Sequence, residues 1–204
     1  MSSCFWKRIY MGFSFAKMVN EQKDKIDLEF LESANSFFKN YAVEKKKILD
    51  LFTELANAFP IRDQVGRYIH SKGNKISQGY NLDGFPYQVL DIGRNFDIDH
   101  GFNIRILHWV GKGMFFFVYL GGEKVNKYLS GIKDSAVESY FYSLKKPFAY
   151  PEILVQSLPV KDVKPVDNPG NLMIVWEKII LEREFLKNFD MLLEKIGKAF
   201  DYTF

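Results

Sequence analysis

The stretch FNIRILHWVGKGMFFFVYLGG, Phe102 to Gly122, decides how the rest of the chain is read. Two runs of β-branched and aromatic residues flank Gly111-Lys112-Gly113, the pattern of a β-hairpin closed by a short glycine loop. Both runs are apolar on both faces instead of alternating apolar with polar, so both are expected to be central strands of a sheet. A register that sets Val110 opposite Met114 puts His108 across from Phe116, Ile106 from Val118 and Ile104 from Leu120. The other face then pairs Trp109 with Phe115, Leu107 with Phe117 and Arg105 with Tyr119. Whatever the register, the period of two keeps Ile104, Ile106 and His108 on one face and Arg105, Leu107 and Trp109 on the other. Two apolar faces need two covers: helices on both sides, helices on one side and a partner on the other, or a ligand pocket.

Upstream of the hairpin, Tyr87 to Ile92 alternates like a strand, between a loop-like Ser71 to Gly84 and turn chemistry at Gly93 to Gly101. Consecutive strands with short connections favour an antiparallel meander. Residues 24 to 59 carry the strongest helical period, first at Phe30, Leu31, Ala34, Phe37, Phe38 and Tyr41, then at Ile48, Leu49, Phe52, Leu55, Ala56 and Phe59. Acidic residues gather at its start, and Pro60 closes it. The pattern fits one long helix or two with a break near Asn40, and Lys45-Lys46-Lys47 reads as a solvated face. Downstream, Val125, Tyr128, Leu129 and Ile132 suggest a short helix. Ser135-Ala136-Val137-Glu138 matches a capping box opening another, with Val137, Tyr140, Phe141 and Leu144 at helical spacing. Five of the seven prolines fall between residues 147 and 169, which predicts an extended connection with at most one edge strand, at Ile153 to Gln156. Asn168-Pro169-Gly170-Asn171 is a turn signal, Leu172 to Leu181 a strand, and Phe185 to Phe200 an amphipathic helix.

The expectation is therefore an α+β fold: an antiparallel sheet built on a central aromatic hairpin at about 102–122, packed by long N-terminal helices and a C-terminal helix. The 204 residues suit a single domain, with residues 1–20 as a loosely attached N-terminal segment. Apolar residues make up 47% and aromatic residues 17%, with 20 Phe and 11 Tyr, enough for a sizeable core. A formal net charge of +3, from 28 basic and 25 acidic residues, gives no electrostatic footprint for nucleic acid. The single cysteine, Cys4, rules out an intramolecular disulfide and a cysteine-built zinc site, and it suits a reducing cytoplasm.

The N-terminus fails as a signal peptide, because Lys7 and Arg8 lie inside its apolar stretch and no small-residue cleavage site follows. Trp6, Ile9, Tyr10 and Phe13 fall at helical spacing, the mark of a helix lying on a membrane surface. An ordinary docked terminus, or initiation at Met11 or Met18, accounts for the same residues more simply.

Two candidate sites emerge. Arg105 shares its face with Trp109 and Tyr119, and an arginine over aromatic rings can hold an anionic or aromatic ligand. A pairing with Asp91 or Asp97 would explain it equally, since buried arginines are paired. His108, from the same hairpin, completes the candidate ligand-binding set of Arg105, His108, Trp109 and Tyr119. The second candidate is metal binding at Asp97, Asp99 and His100, two carboxylates and an imidazole in one loop, although Asp and His are also ordinary turn residues. No hydrolase elbow, phosphate loop, dinucleotide fingerprint or zinc-protease motif is present, and no cofactor is expected.

The run IRILHWVGKGMFFFVYLGG resembles a motif in conserved hypothetical proteins of Bacteroidetes, in which an Arg, an aromatic pair and a glycine precede an aromatic strand. The likeness covers residues 85 to 122. It implies a bacterial cytoplasmic protein and supplies no catalytic residues. Function is thus read first as non-enzymatic, through association of the aromatic sheet surface with a protein partner or with a second copy as a homodimer. A small-molecule pocket or enzyme site beside the hairpin is the alternative, and metal-assisted chemistry stands third.

Overall fold

The computed structural model describes residues 25–59, 71–134, 139–163 and 170–204. The chain falls into two compact units, Met1–Lys45 and Lys46–Phe204. The segment 1–20, the capping box at Ser135–Glu138 and the first two residues of the Asn168–Asn171 turn lie outside the described residues.

Helix α1 (Leu28–Ala58) is one helix of 31 residues. Asp27 caps its start, its Oδ1 accepting the Phe30 N–H at 2.9 Å. Asn74 closes its end, donating from Nδ2 to the carbonyls of Ala56 and Phe59 at 2.9 and 3.0 Å. The strands follow: β1 (Lys75–Leu82), β2 (Phe85–Asn95), β3 (Phe102–Trp109) and β4 (Gly113–Leu120) form an antiparallel meander. After α2 (Gly122–Asp134) come β5 (Phe141–Ser143), α3 (Tyr150–Gln156), β6 (Leu158–Pro159), β7 (Met173–Ile179) and α4 (Phe185–Asp201). The sheet order is β1-β2-β3-β4-β7-β5-β6, with every neighbouring pair antiparallel. The fold is α+β, and the aromatic hairpin sits in the middle of the sheet.

Both faces of that hairpin are covered. On one, Ile104, Ile106, Phe116 and Val118 pack with Leu51, Phe52 and Leu55 of α1, with Tyr128 and Ile132 of α2, and with Leu192 and Ile196 of α4. On the other, Leu107, Trp109, Phe115, Phe117 and Tyr119 pack with Trp176 of β7 and with Tyr150 and Ile153 of α3. Hydrophobic burial on both sides is what the continuous apolar runs require.

Four local expectations are corrected. The hairpin pairs Trp109 with Gly113, so His108 faces Met114, Ile106 faces Phe116 and Arg105 faces Phe117. Its loop is Val110-Gly111-Lys112, closed by Lys112 N–H donating to the Trp109 carbonyl at 2.9 Å. Gly111 takes the positive φ (77°) that a tight turn of this kind demands. Since the register differs by two residues, every side chain keeps its face and only its cross-strand partner changes. Residues 75–82, which look like loop, form edge strand β1, and a Cβ at Gly79 would run into the Tyr87 ring, so the glycine makes room for it.

Phe141–Ser143 is a strand where helical spacing was expected, because pairing with β7 and stacking of Phe141 on Trp176 (centroids 5.0 Å, 24°) outweigh the local pattern. Residues 153–156 are helical where an edge strand was expected. Pro151 falls in the first turn of α3, where a missing N–H costs nothing.

Candidate functional site

Register places Asp91 directly opposite Arg105 on neighbouring strands, and their side chains meet on the face that α3 covers. Arg105 donates from Nε to Asp91 Oδ1 and from Nη2 to Asp91 Oδ2, both at 2.7 Å. This is a bidentate fork with side-chain exposures of 13% and 6%. Its remaining terminal nitrogen, Nη1, donates to the Tyr150 hydroxyl of α3 at 2.5 Å. Three rings surround the guanidinium: Phe148 at 4.7 Å from its centroid, Phe96 at 5.8 Å and Tyr119 at 5.9 Å. Phe96 in turn meets Tyr119 and Phe148 edge-on, and the Tyr119 hydroxyl donates to the Pro147 carbonyl at 2.9 Å.

Asp91 Oδ1 also accepts from Asn103 Nδ2 at 3.1 Å, and Asn103 Oδ1 accepts the Arg94 N–H at 3.2 Å. There β2 bulges: the register shifts between Ile92 and Asn95, and Gly93 and Arg94 both take positive φ (92° and 31°). The ion pair, the bulge and the start of β3 are thus one hydrogen-bonded unit.

Burial works against the charge of Arg105, but the Asp91 hydrogen bonds and the surrounding tyrosines outweigh it and push its pKa up. Burial raises both Tyr119 and Tyr150, for Tyr150 in spite of the nearby guanidinium. Arg105 and both tyrosines therefore keep their protons through neutral pH.

The other predicted residues are dispersed. Trp109 lies on the same face, 2% exposed, with its Nε1 donating to the Leu82 carbonyl at 3.0 Å. His108 points to the opposite face, where its Nδ1 is 2.6 Å from Gln88 Oε1 and burial lowers its pKa. The structure thus brings Arg105 and Tyr119 together and sets His108 apart. It adds Asn103, which the period of two sets on the face of Arg105, and Tyr150, Phe96 and Phe148, which spacing alone gave no means of finding.

In the 97–100 loop, Asp97 Oδ1 accepts the N–H groups of Asp99 and His100 at 3.0 and 2.7 Å, closing a turn. His100 Nδ1 lies 2.8 Å from Glu123 Oε2, and that hydrogen bond raises its pKa. Among the described residues no group of three or more His, Cys, Asp or Glu is placed to hold a metal ion. Carbonyls of the same loop cap α2: the N–H groups of Gly122 and Glu123 donate to Ile98 and Asp99 at 2.9 and 3.1 Å. On the opposite sheet face Glu177, its side chain 5% exposed, pairs with Lys195 at 2.7 Å. Burial, then the Glu177 charge, raises Tyr128 and Tyr140.

No protein-family model and no curated protein matches the chain. Among solved structures, it is similar to a conserved hypothetical protein from Pyrococcus furiosus at 14% identity and a TM-score of 0.43, covering 81% of this chain and 98% of that one. No helix among the described residues is long and apolar enough to cross a membrane.

Proposed function

We propose that the protein acts by associating with another polypeptide and not by catalysis, and that the docking surface is the first half of α1. The observation that carries this reading is exposed apolar area. Leu28, Phe30, Leu31, Phe37, Phe38 and Val43 are each 56–66% exposed on one stretch of helix. The rings of Phe37 and Phe38 meet edge-on at 5.4 Å, and Phe37 stacks on Tyr41 at 6.3 Å, so these three rings form one aromatic patch. Contiguous apolar patches of this kind mark interaction sites. The aromatic sheet surface, by contrast, is already covered within the chain. The same reading places the protein in a bacterial cytoplasm, on the resemblance of residues 85 to 122 and on a chain with one cysteine.

The test is a photo-crosslinking amino acid at position 38, introduced in the cells that make the protein, with the same probe at the exposed Tyr80 of β1 as control. A discrete adduct at 38 that is missing at 80 supports docking through α1. Identical patterns at the two positions overturn it.

A further inference from the structure

Leu31, Ala34, Phe38, Tyr41, Lys45, Ile48, Phe52 and Leu55, apolar except for Lys45, follow alternating steps of three and four along α1. That is the a/d seam of a heptad repeat, the spacing that lets one helix seat its side chains between those of another. Its two halves meet different fates. Phe52 and Leu55 are wholly buried and Ile48 partly so, against the core of the Lys46–Phe204 unit. In the Met1–Lys45 unit, Leu31 and Phe38 on the same seam remain 56% and 58% exposed. On the seam itself Asp27 stands at the start and Lys45 at the end, while Lys25, Glu29, Glu32, Lys39, Glu44, Lys46 and Lys47 lie off it.

These features select a partner and an orientation. Aligned antiparallel with Ala34 opposite Phe38, two copies of the helix set Phe38 against Ala34, Leu31 against Tyr41 and Asp27 against Lys45 across the seam. Large thus meets small, and negative meets positive. A parallel pairing would set Phe38 on Phe38, leave a gap at Ala34 on Ala34, and stack Lys45 on Lys45, a repulsive layer. One two-fold axis near residue 36 generates every favourable layer twice, as a closed dimer requires. We propose that the first half of α1 pairs antiparallel with the same segment of a second copy of this chain. This rests on the reading of α1 as the docking surface and names its occupant.

The purified full chain is examined by size-exclusion chromatography with light scattering across a wide concentration range. Wild type should reach twice the chain mass, and Phe38→Glu should stay at one chain mass throughout, a twofold difference. Tyr80→Glu, on the exposed edge strand, should dimerise like wild type. Phe38 is exposed, so this substitution leaves the core intact, and an unchanged thermal transition at low concentration confirms it.

A wild type that stays monomeric, or a dimer indifferent to Phe38→Glu, overturns the inference. If the first outcome is joined by a discrete crosslink from position 38 to a different protein, the docking surface stands and only the second copy falls.

Orientation is read from spin-label distances at Asn35 and Lys47, placed singly in a Cys4→Ser background. In the antiparallel pair residue 47 lies opposite residue 25. At 1.5 Å per residue the two Lys47 labels stand about 33 Å apart along the axis, while the Asn35 labels fall within about 20 Å of each other. Short distances at both positions would refute the antiparallel arrangement.

Discussion

Removing Asp91 should destabilise the protein more than its single ion pair suggests. In Asp91→Leu the Arg105 guanidinium stays inside, 13% exposed, bonded only through Nη1 to Tyr150 and flanked by rings. Leaving one partner of a buried pair unmatched costs about 3–5 kcal/mol. Arg105→Met strands the opposite charge, which keeps the Asn103 amide on Asp91 Oδ1 at 3.1 Å, and should cost a similar amount. Tyr150→Phe removes one hydrogen bond to a charged group and should cost about 1.5–3 kcal/mol.

The double variant Asp91→Leu/Arg105→Met replaces both charges by carbon of comparable volume, and such replacements are near neutral or stabilising by about 1–4 kcal/mol. It should therefore recover most of what either single change loses. Urea unfolding followed by tryptophan fluorescence is a suitable assay, because Trp109 and Trp176 lie on the same sheet face as the pair. Equal slopes against denaturant would show that the shift in midpoint is stability. Single variants that each lose less than about 1 kcal/mol would show that the guanidinium reaches water. A double variant whose loss is the sum of the singles would show two independent groups, and either result would refute a buried, mutually dependent pair.

Two further substitutions probe the hairpin and its surroundings. His108 has a pKa lowered by burial from the usual 6.5. As pH falls through that range the unfolded chain takes up a proton that the folded chain refuses, so stability drops on the acid side until pH passes the folded value. His108→Gln should flatten the slope of unfolding free energy between about pH 5 and 7, and an unchanged slope would assign it to other groups. At Gly121 a Cβ would meet the backbone of Gly101 and Asp99, the loop that caps α2. Gly121→Ala should cost about 1–3 kcal/mol and speed hydrogen exchange at the Gly122 and Glu123 amides, and full protection there would contradict the tight fit.

The sheet was legible where both faces are buried. Continuous apolar runs marked β3 and β4 as central and β7 as a strand, and helical spacing placed α2 and α4. The edges were less legible for a common reason. Edge strand β1 pairs on one side only and carries Gly79 and Asn81, so its composition reads as loop. Phe141–Ser143 is held by Trp176 and Val175, more than thirty positions away, and no local pattern encodes that distance.

The Asp91–Arg105 pair was one of two carboxylate choices open to the arginine, and strand register selected it. Tyr150 and Phe148 reach the site only because α3 folds across the sheet, in a proline-rich stretch whose sequence suggested extended chain. On α1 the period showed the whole stripe but not which half the core would take.

That division also bears on the two readings of the aromatic surface. A ligand carboxylate arriving at Arg105 would meet a fork already closed by Asp91 and a Tyr150 hydroxyl already in place. Displacing Asp91 would leave a carboxylate inside the sheet, at a cost of about 3–5 kcal/mol before the ligand gained anything. Phe148, half exposed above the guanidinium, would have to leave as well.

The first half of α1 asks much less of a partner. Leu28, Phe30, Leu31, Phe37, Phe38 and Val43 lie more than half exposed, and covering what remains of each gains a little over half of the roughly 1.5–3 kcal/mol that full burial is worth. The rings of Phe37 and Phe38, already in edge contact, lose little further freedom when covered, which lowers the cost of ordering an interface. The same residue type thus stands in two settings in one chain: aromatic rings packed around Arg105 flank a buried charge, and aromatic rings left exposed on α1 are the surface on which the proposed association with a second copy rests.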